Sequence, residues 1–349
     1  MRLPALEHSD GQSMSKISEE INFALPVPAH STWPGVSRFQ HVIRLLYPST
    51  VQLRNVQPLP GHVHSLYLLK LSNENELILK FALLSAAPLM RREQLSLETE
   101  ALALDLLRQT TNQFIPQLIH YAPDDRSLGA GFLLRQYVKG PSLLENEHRL
   151  SPQARKDIEQ DLGLLVSVIG QNVSTAFGPL TKVAAGTGSS SWRRSFILLF
   201  EEVIHDAEDM LIHLPYSQLR EQLCRFASTL DEIKVPRLTV INFGRPSDVL
   251  LDSDFKRLSG ILDLSTAIWG DVLMAEVFEE PTEALFTGFG SIPSKGPSQS
   301  VRFLLYSCYR HVYRITELYY RNRTDDMTEM HARRKLTDAL QLLSTTEVE

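Results

Sequence analysis

Apolar residues first recur at helical spacing in Phe39, Val42, Ile43 and Leu46, which predicts a short amphipathic helix ending at Pro48. The preceding residues 1–34 are polar, hold four prolines and keep no sustained period, so residues 1–50 read as an irregular extension plus that helix. Two apolar runs, Ser65–Leu71 and Glu76–Phe81, flank a polar Ser/Asn/Glu turn, the pattern of a β-hairpin. Leu97, Ala101, Leu104 and Leu107 place a buried stripe on a helix from about Arg92 to Arg108. Strands follow at Gln117–Tyr121 and Gly131–Val138, the second stopped by Lys139-Gly-Pro. Beyond Pro141 the spacing is helical almost to the end, apart from short β-like runs between Leu238 and Leu264. Residues 186–191, Gly-Thr-Gly-Ser-Ser-Ser, have no strand before them and read as a loop rather than a phosphate cradle. In the last third, Leu305, Cys308, Val312, Ile315 and Tyr319 line one long helical face, whose tyrosines read as core. The chain therefore divides into a strand-rich part, 51–138, and a helical part, 139–349: an α+β, bilobal architecture.

Composition narrows the class. At 349 residues with 43% hydrophobic and 22% charged positions, the chain is an ordinary globular sequence. The 35 basic and 41 acidic residues leave a net charge of −6. This argues against a general nucleic-acid partner, which needs net positive surface. No apolar run approaches the roughly 20 residues that span a bilayer, and no signal-peptide core is visible, so a cytoplasmic protein without a membrane partner is expected. Cys224 and Cys308 have no ligand spacing and read as buried small apolar residues of a reducing compartment.

The first chemically informative residue is Lys80, which ends the apolar run Leu77-Ile-Leu-Lys, where a charge needs an anionic partner. Glu98 and Glu100 stand about twenty residues on, in an otherwise apolar helix; a snorkelling lysine and two exposed glutamates is the plainer alternative. Then Pro246, Val249-Leu-Leu-Asp252, Gly260-Ile-Leu-Asp263 and Trp269-Gly-Asp271 occur in the order and hairpin spacing of the aminoglycoside phosphotransferase and choline kinase-like family. The chain resembles that family over roughly residues 51–349, with 236–271 as its catalytic-loop-like segment. The resemblance implies a protein-kinase-like fold, with a small antiparallel-sheet lobe and a larger helical lobe. It implies ATP and Mg²⁺ as cofactors and a small-molecule hydroxyl as acceptor. By the same resemblance Lys80 holds phosphate, Glu100 (or Glu98) pairs with it, and Tyr137 and Val138 present backbone groups to adenine. Asp263 binds Mg²⁺, and Asp248 stands where the family has a metal-binding asparagine.

The same register puts Ile241-Asn242-Phe243 where the family has His-Gly-Asp, so Phe243 stands at the position of the catalytic base and no catalytic residue is assigned. A shifted register with Asp248 as base would need Ser253 as the metal ligand and would turn Val249-Leu-Leu into loop. The nucleotide-covering stretch Leu59–Tyr67 holds a single glycine and two histidines, His62 and His64, expected to be exposed. The expectation is a kinase-like protein with weak or lost phosphotransfer. The alternatives are an active ATP-dependent O-phosphotransferase with another carboxylate as base, and a non-catalytic binding or scaffold protein.

Overall fold

The computed structural model describes residues 36–61, 63–82, 88–108, 114–126, 128–290, 296–323 and 325–347. The extension expected at residues 1–34 and His62 lie outside them. The helix predicted before Pro48 is α1 (Val36–Leu46), with Phe39, Val42 and Ile43 fully buried. Strands β1 (Leu53–Leu59), β2 (Ser65–Leu71) and β3 (Glu76–Phe81) follow. The β2–β3 turn closes through the Leu71 N–H, which donates to the Asn75 carbonyl at 2.9 Å. After β3 come α2 (Ser96–Leu107), β4 (Leu118–Ala122) and β5 (Phe132–Gln136). The five strands form one antiparallel sheet in the order β1-β2-β3-β5-β4.

Strand alternation gives the sheet two apolar faces. One carries Tyr67, Leu69, Leu77, Leu79, Phe81, Phe132 and Leu134 and is covered by α1. On the other, Leu133 joins Leu97, Ala101 and Leu104 of α2. Lys80 pairs with Leu133, and Ile78 with Arg135, so both cationic side chains leave the sheet on the α2 face.

The helical part starts with α3 (Leu143–Asn146) and α4 (Pro152–Ile169) and continues through β6 (Gly178–Pro179), α5 (Leu180–Ala184), α6 (Trp192–Asp209) and α7 (Tyr216–Arg225). Four short strands interrupt it: β7 (Arg237–Val240), β8 (Val249–Leu251), β9 (Leu258–Ile261) and β10 (Ala267–Gly270). They form the β8–β9 hairpin and the three-stranded sheet β6-β10-β7. Helices α8 (Glu283–Phe289), α9 (Pro297–Tyr320) and α10 (Asp326–Thr345) complete the chain. The Trp-Gly-Asp stretch is structural: the Asp271 carboxylate accepts from the Leu273 N–H and the Tyr306 hydroxyl, and Tyr306 in turn accepts from the Trp192 indole. Among the described residues no helix is long and apolar enough to cross a membrane.

Several expectations need correction. The helix predicted from Arg92 begins at Ser96, after a 3₁₀ turn over Arg91–Glu93. There the Ser96 hydroxyl donates to the Glu93 carbonyl (2.6 Å) and the Glu93 carboxylate accepts from the Met90 N–H, so the turn is closed by side chains. Cys224 is exposed, because Leu219, Gln222 and Leu223 set the buried face of α7 and position 224 falls off it; Cys308 is buried. The loop before α6 lies where expected, and Ser191 caps that helix.

Candidate functional site

Lys80 sits where β3, α2 and the turn after β9 meet. Its Nζ donates to Glu100 Oε2 at 2.5 Å and to Asp263 Oδ1 at 3.3 Å. A strand ammonium only 11% exposed requires such partners, since an unpaired buried charge is costly. Glu100 is nearly inaccessible on the inner side of α2, and its other oxygen lies 3.5 Å from Arg135 Nε. Glu98, half-buried, makes no contact with Lys80. Burial alone would lower the Lys80 ammonium, but the carboxylates of Asp263 and Glu100 outweigh it and raise its pKa.

Asp248 enters β8 and Asp263 leaves β9, and the hairpin brings them to the same end, where the Leu262 N–H donates to the Asp248 carbonyl (2.9 Å). Asp263 accepts from Lys80 and from both the N–H and hydroxyl of Ser265 (3.0 Å each). These contacts outweigh burial and hold it well below the usual carboxylate range. Asp248 is pushed up to about 7 by burial and by the neighbouring Asp263. Two carboxylates at one hairpin mouth, one of them raised by burial and by the other's charge, fit a hard cation that takes its other ligands from phosphate and water. Among the described residues no group of three or more His, Cys, Asp or Glu side chains forms a metal cluster.

Val249–Leu251 is a strand, which disfavours the shifted register. The loop from Ile241 to Asp248 turns through Gly244, whose φ of +92° is a left-handed conformation that suits glycine; a Cβ there would also sit 2.9 Å from Val277 Cβ. The turn directs neighbouring side chains apart. Phe243, 1% exposed, lies in the apolar core, and its backbone bonds to Val240 and Val277. Asn242 lines the cleft instead. An amide can orient a hydroxyl but cannot take its proton.

The cleft is a cavity of about 390 Å³. Its floor holds Lys80, Asp248, Asp263 and Asn242, and Arg92, Arg245, Tyr313 and Arg321 form a wall that sequence patterning did not single out. Tyr313 stands next to the predicted apolar face of α9 rather than on it, and it faces the cavity beside Arg92, whose Cζ lies 4.5 Å from its ring centroid. His64 also differs from expectation. It is buried, and its Nε2 is 2.7 Å from the Ser96 hydroxyl at the start of α2. Burial, then Lys80, lower its pKa to about 4. Tyr137 and Val138 lie past the end of β5 and outside the cavity lining. The Tyr137 N–H is bonded to the Glu76 carbonyl (3.1 Å), and a Cβ on Gly260 would sit 2.7 Å from Val138 Cγ1, so the Tyr137–Val138 segment packs directly on β9.

The fold that carries this cleft is found in solved structures. One match is a protein assigned as an aminoglycoside phosphotransferase from Ralstonia eutropha, with a TM-score of 0.61 and 10% identity over 89% of this chain and 99% of that one. The chain has the fold of the aminoglycoside phosphotransferases. A protein assigned as a fructosamine-3-kinase from Haemophilus somnus matches at a TM-score of 0.62, with 13% identity, 86% of this chain and 96% of that one. A thermostable mutant of aminoglycoside phosphotransferase APH(4)-Ia, solved with AMP-PNP and hygromycin B, matches at 0.59, with 12% identity over 88% and 99% of the two chains. At these identities the likeness is one of fold. No family model and no curated protein matches the chain by sequence.

Proposed function

We propose that this is a kinase-like protein that binds Mg-ATP in the cleft and transfers phosphate to small-molecule hydroxyls only slowly. The observation that carries the reading is the contrast on the cleft floor: Lys80 is bonded to both Glu100 and Asp263, while Phe243 buries its ring in the core. Glu100 would hold Lys80 in place as the Lys80–Asp263 contact exchanges for a phosphate oxygen. Asp263 and Asp248 would hold Mg²⁺, which when bound neutralises charge on the phosphate oxygens. Asn242 would orient the acceptor hydroxyl without deprotonating it. Positioning and electrostatics do most of the work in phosphoryl transfer, whereas a general base typically adds 10²–10⁴-fold. The expected protein therefore binds nucleotide well and turns over weakly.

Thermal unfolding with Mg-ATP, ATP alone and ADP tests this. A ligand at 100 times its Kd stabilises by about 2.7 kcal/mol, so Mg-ATP should raise Tm clearly and ATP without Mg²⁺ much less. Asp263→Ala should remove the Mg²⁺ dependence. No shift with any nucleotide would leave a binding or scaffold role for the fold. Robust turnover on an alcohol, undiminished by Phe243→Ala, would place the base on another carboxylate.

A further inference from the structure

The cavity edge around Tyr313 carries a cation with no ion-pair partner. Arg92 lies in the 3₁₀ turn before α2, and its Nη1 donates to the Tyr309 hydroxyl at 2.7 Å. Among the described residues no carboxylate forms an ion pair with it, and the charge of Glu93, its neighbour in the turn, acts on it only weakly. Its plane instead rests on Tyr313. Arg245 approaches the same ring, at 5.8 Å from the centroid, so two guanidinium groups flank one aromatic side chain at the cavity edge. Arg245 is bonded to Glu276 Oε2 at 3.0 Å and lies 3.6 Å from Glu317 Oε2, which keeps its charge compensated. Arg92 has the phenol, the ring and the weaker influence of Glu93. Guanidinium forks are suited to carboxylate and phosphate, and a half-buried one without a partner is costly unless a ligand supplies it.

We infer that this wall takes the anionic end of the acceptor, a small hydroxylated molecule bearing a carboxylate or phosphate, with Arg92 as its principal contact and Arg245 beside it. The inference rests on the proposed function in placing the nucleotide phosphates at Lys80 and Asp263, which leaves the Arg92 end of the same cavity for the second substrate. The Glu93 and Glu317 carboxylates of the same lining are paired with Arg321 and Arg245, so a polycationic acceptor would meet like charge at Arg92.

The test uses the full chain with saturating Mg-ADP, titrated calorimetrically with glycerate, glycerol 3-phosphate, glycerol and spermidine. Both anions should bind at least roughly tenfold more tightly than glycerol, the margin of a charge-assisted hydrogen-bond pair, and spermidine should bind worst. Arg92→Gln should erase the margin, and Arg92→Lys should keep part of it, since the charge remains and the fork is lost. Equal binding of the anions and glycerol, tighter binding of spermidine, or a margin unchanged in Arg92→Gln overturns the inference. Should Arg92→Gln fail to fold, the wild-type margin and its behaviour in Lys80→Met decide it. A margin that survives Lys80→Met supports the Arg92 site, and one that disappears assigns the anions to the phosphate end. Failure of Mg-nucleotide binding with the Arg92-dependent margin intact would sink the nucleotide reading alone. Nucleotide binding without the margin would sink only this inference.

Discussion

Phe243 shows how far a single position can be separated from its neighbour's role. Gly244 turns the loop through a left-handed conformation, Asn242 stays on the cleft, and the Phe243 ring enters the core of the helical part. Restoring a carboxylate by Phe243→Asp therefore does not put a base at the acceptor. It removes a fully buried ring, which costs about 3–5 kcal/mol as Phe→Ala, and buries an unpaired charge as well. We expect Phe243→Asp to unfold at markedly lower denaturant concentration than Phe243→Ala and to gain no turnover. A folded Phe243→Asp variant with raised turnover would show that the loop can present this side chain to the cleft. That Lys80 needs an anionic partner was legible because a charged residue closes an apolar strand, whereas Glu100 and Asp263 were singled out only by the family resemblance. Arg92, Arg245, Tyr313 and Asn242 were not legible. They converge from segments far apart in the chain, and Tyr313 keeps the same helical spacing as the core residues around it.

At the scale of elements, hydrophobic patterning placed α1 and the β2–β3 hairpin closely, because α1 buries one regular face and the hairpin strands are continuous apolar runs around a polar turn. It missed the start of α2, where side-chain hydrogen bonds from Ser96 and Glu93 replace the first helical turn, and it could not foresee that the β1–β2 connection folds onto that start. His64 makes this contact, a tie between a loop and a helix end. Its neutral ring is favoured in the folded state, with a pKa near 4 against an ordinary 6.5. The folded-state value is depressed, so the contribution to stability is complete above pH 6.5 and is lost as the pH falls toward 4. That gap converts to roughly 3 kcal/mol as an upper bound. Urea unfolding of wild type and His64→Gln at pH 7.5 and pH 4.5 should show a steeper loss in the wild type. Parallel losses in the two proteins would mean that His64 is protonated in place without cost.

At the scale of the whole molecule, the 3₁₀ turn before α2 fastens the sheet-bearing part to the helical part. Three consecutive residues cross the gap in the same direction. Arg91 binds Asp206 and Asp209 of α6 at 2.6 and 2.8 Å; Arg92 reaches Tyr309 and Tyr313 of α9; and Glu93 pairs with Arg321 just past the end of α9. Since α2 follows this turn and carries Glu100, the same fastening sets where Lys80 is held. The three links differ in environment, and that decides their weight. The Arg91–Asp209 pair is exposed on both sides, at 39% and 58%, and is screened by water, so Asp209→Ala should cost no more than about 1 kcal/mol. Arg321 and Glu93 are both nearly buried, and removing one partner leaves the other as an uncompensated buried charge, which costs about 3–5 kcal/mol. Arg321→Ala should therefore lower global stability several times more than Asp209→Ala. Hydrogen exchange gives the sharper readout, because loss of the Glu93 link frees the start of α2 before the rest of the chain. In Arg321→Ala the amides of α2 should lose protection while those of α4 and α6 retain theirs relative to global stability. Uniform loss of protection would mean that the pair stabilises the fold as a whole without positioning α2, and that Glu100 reaches Lys80 through sheet packing alone.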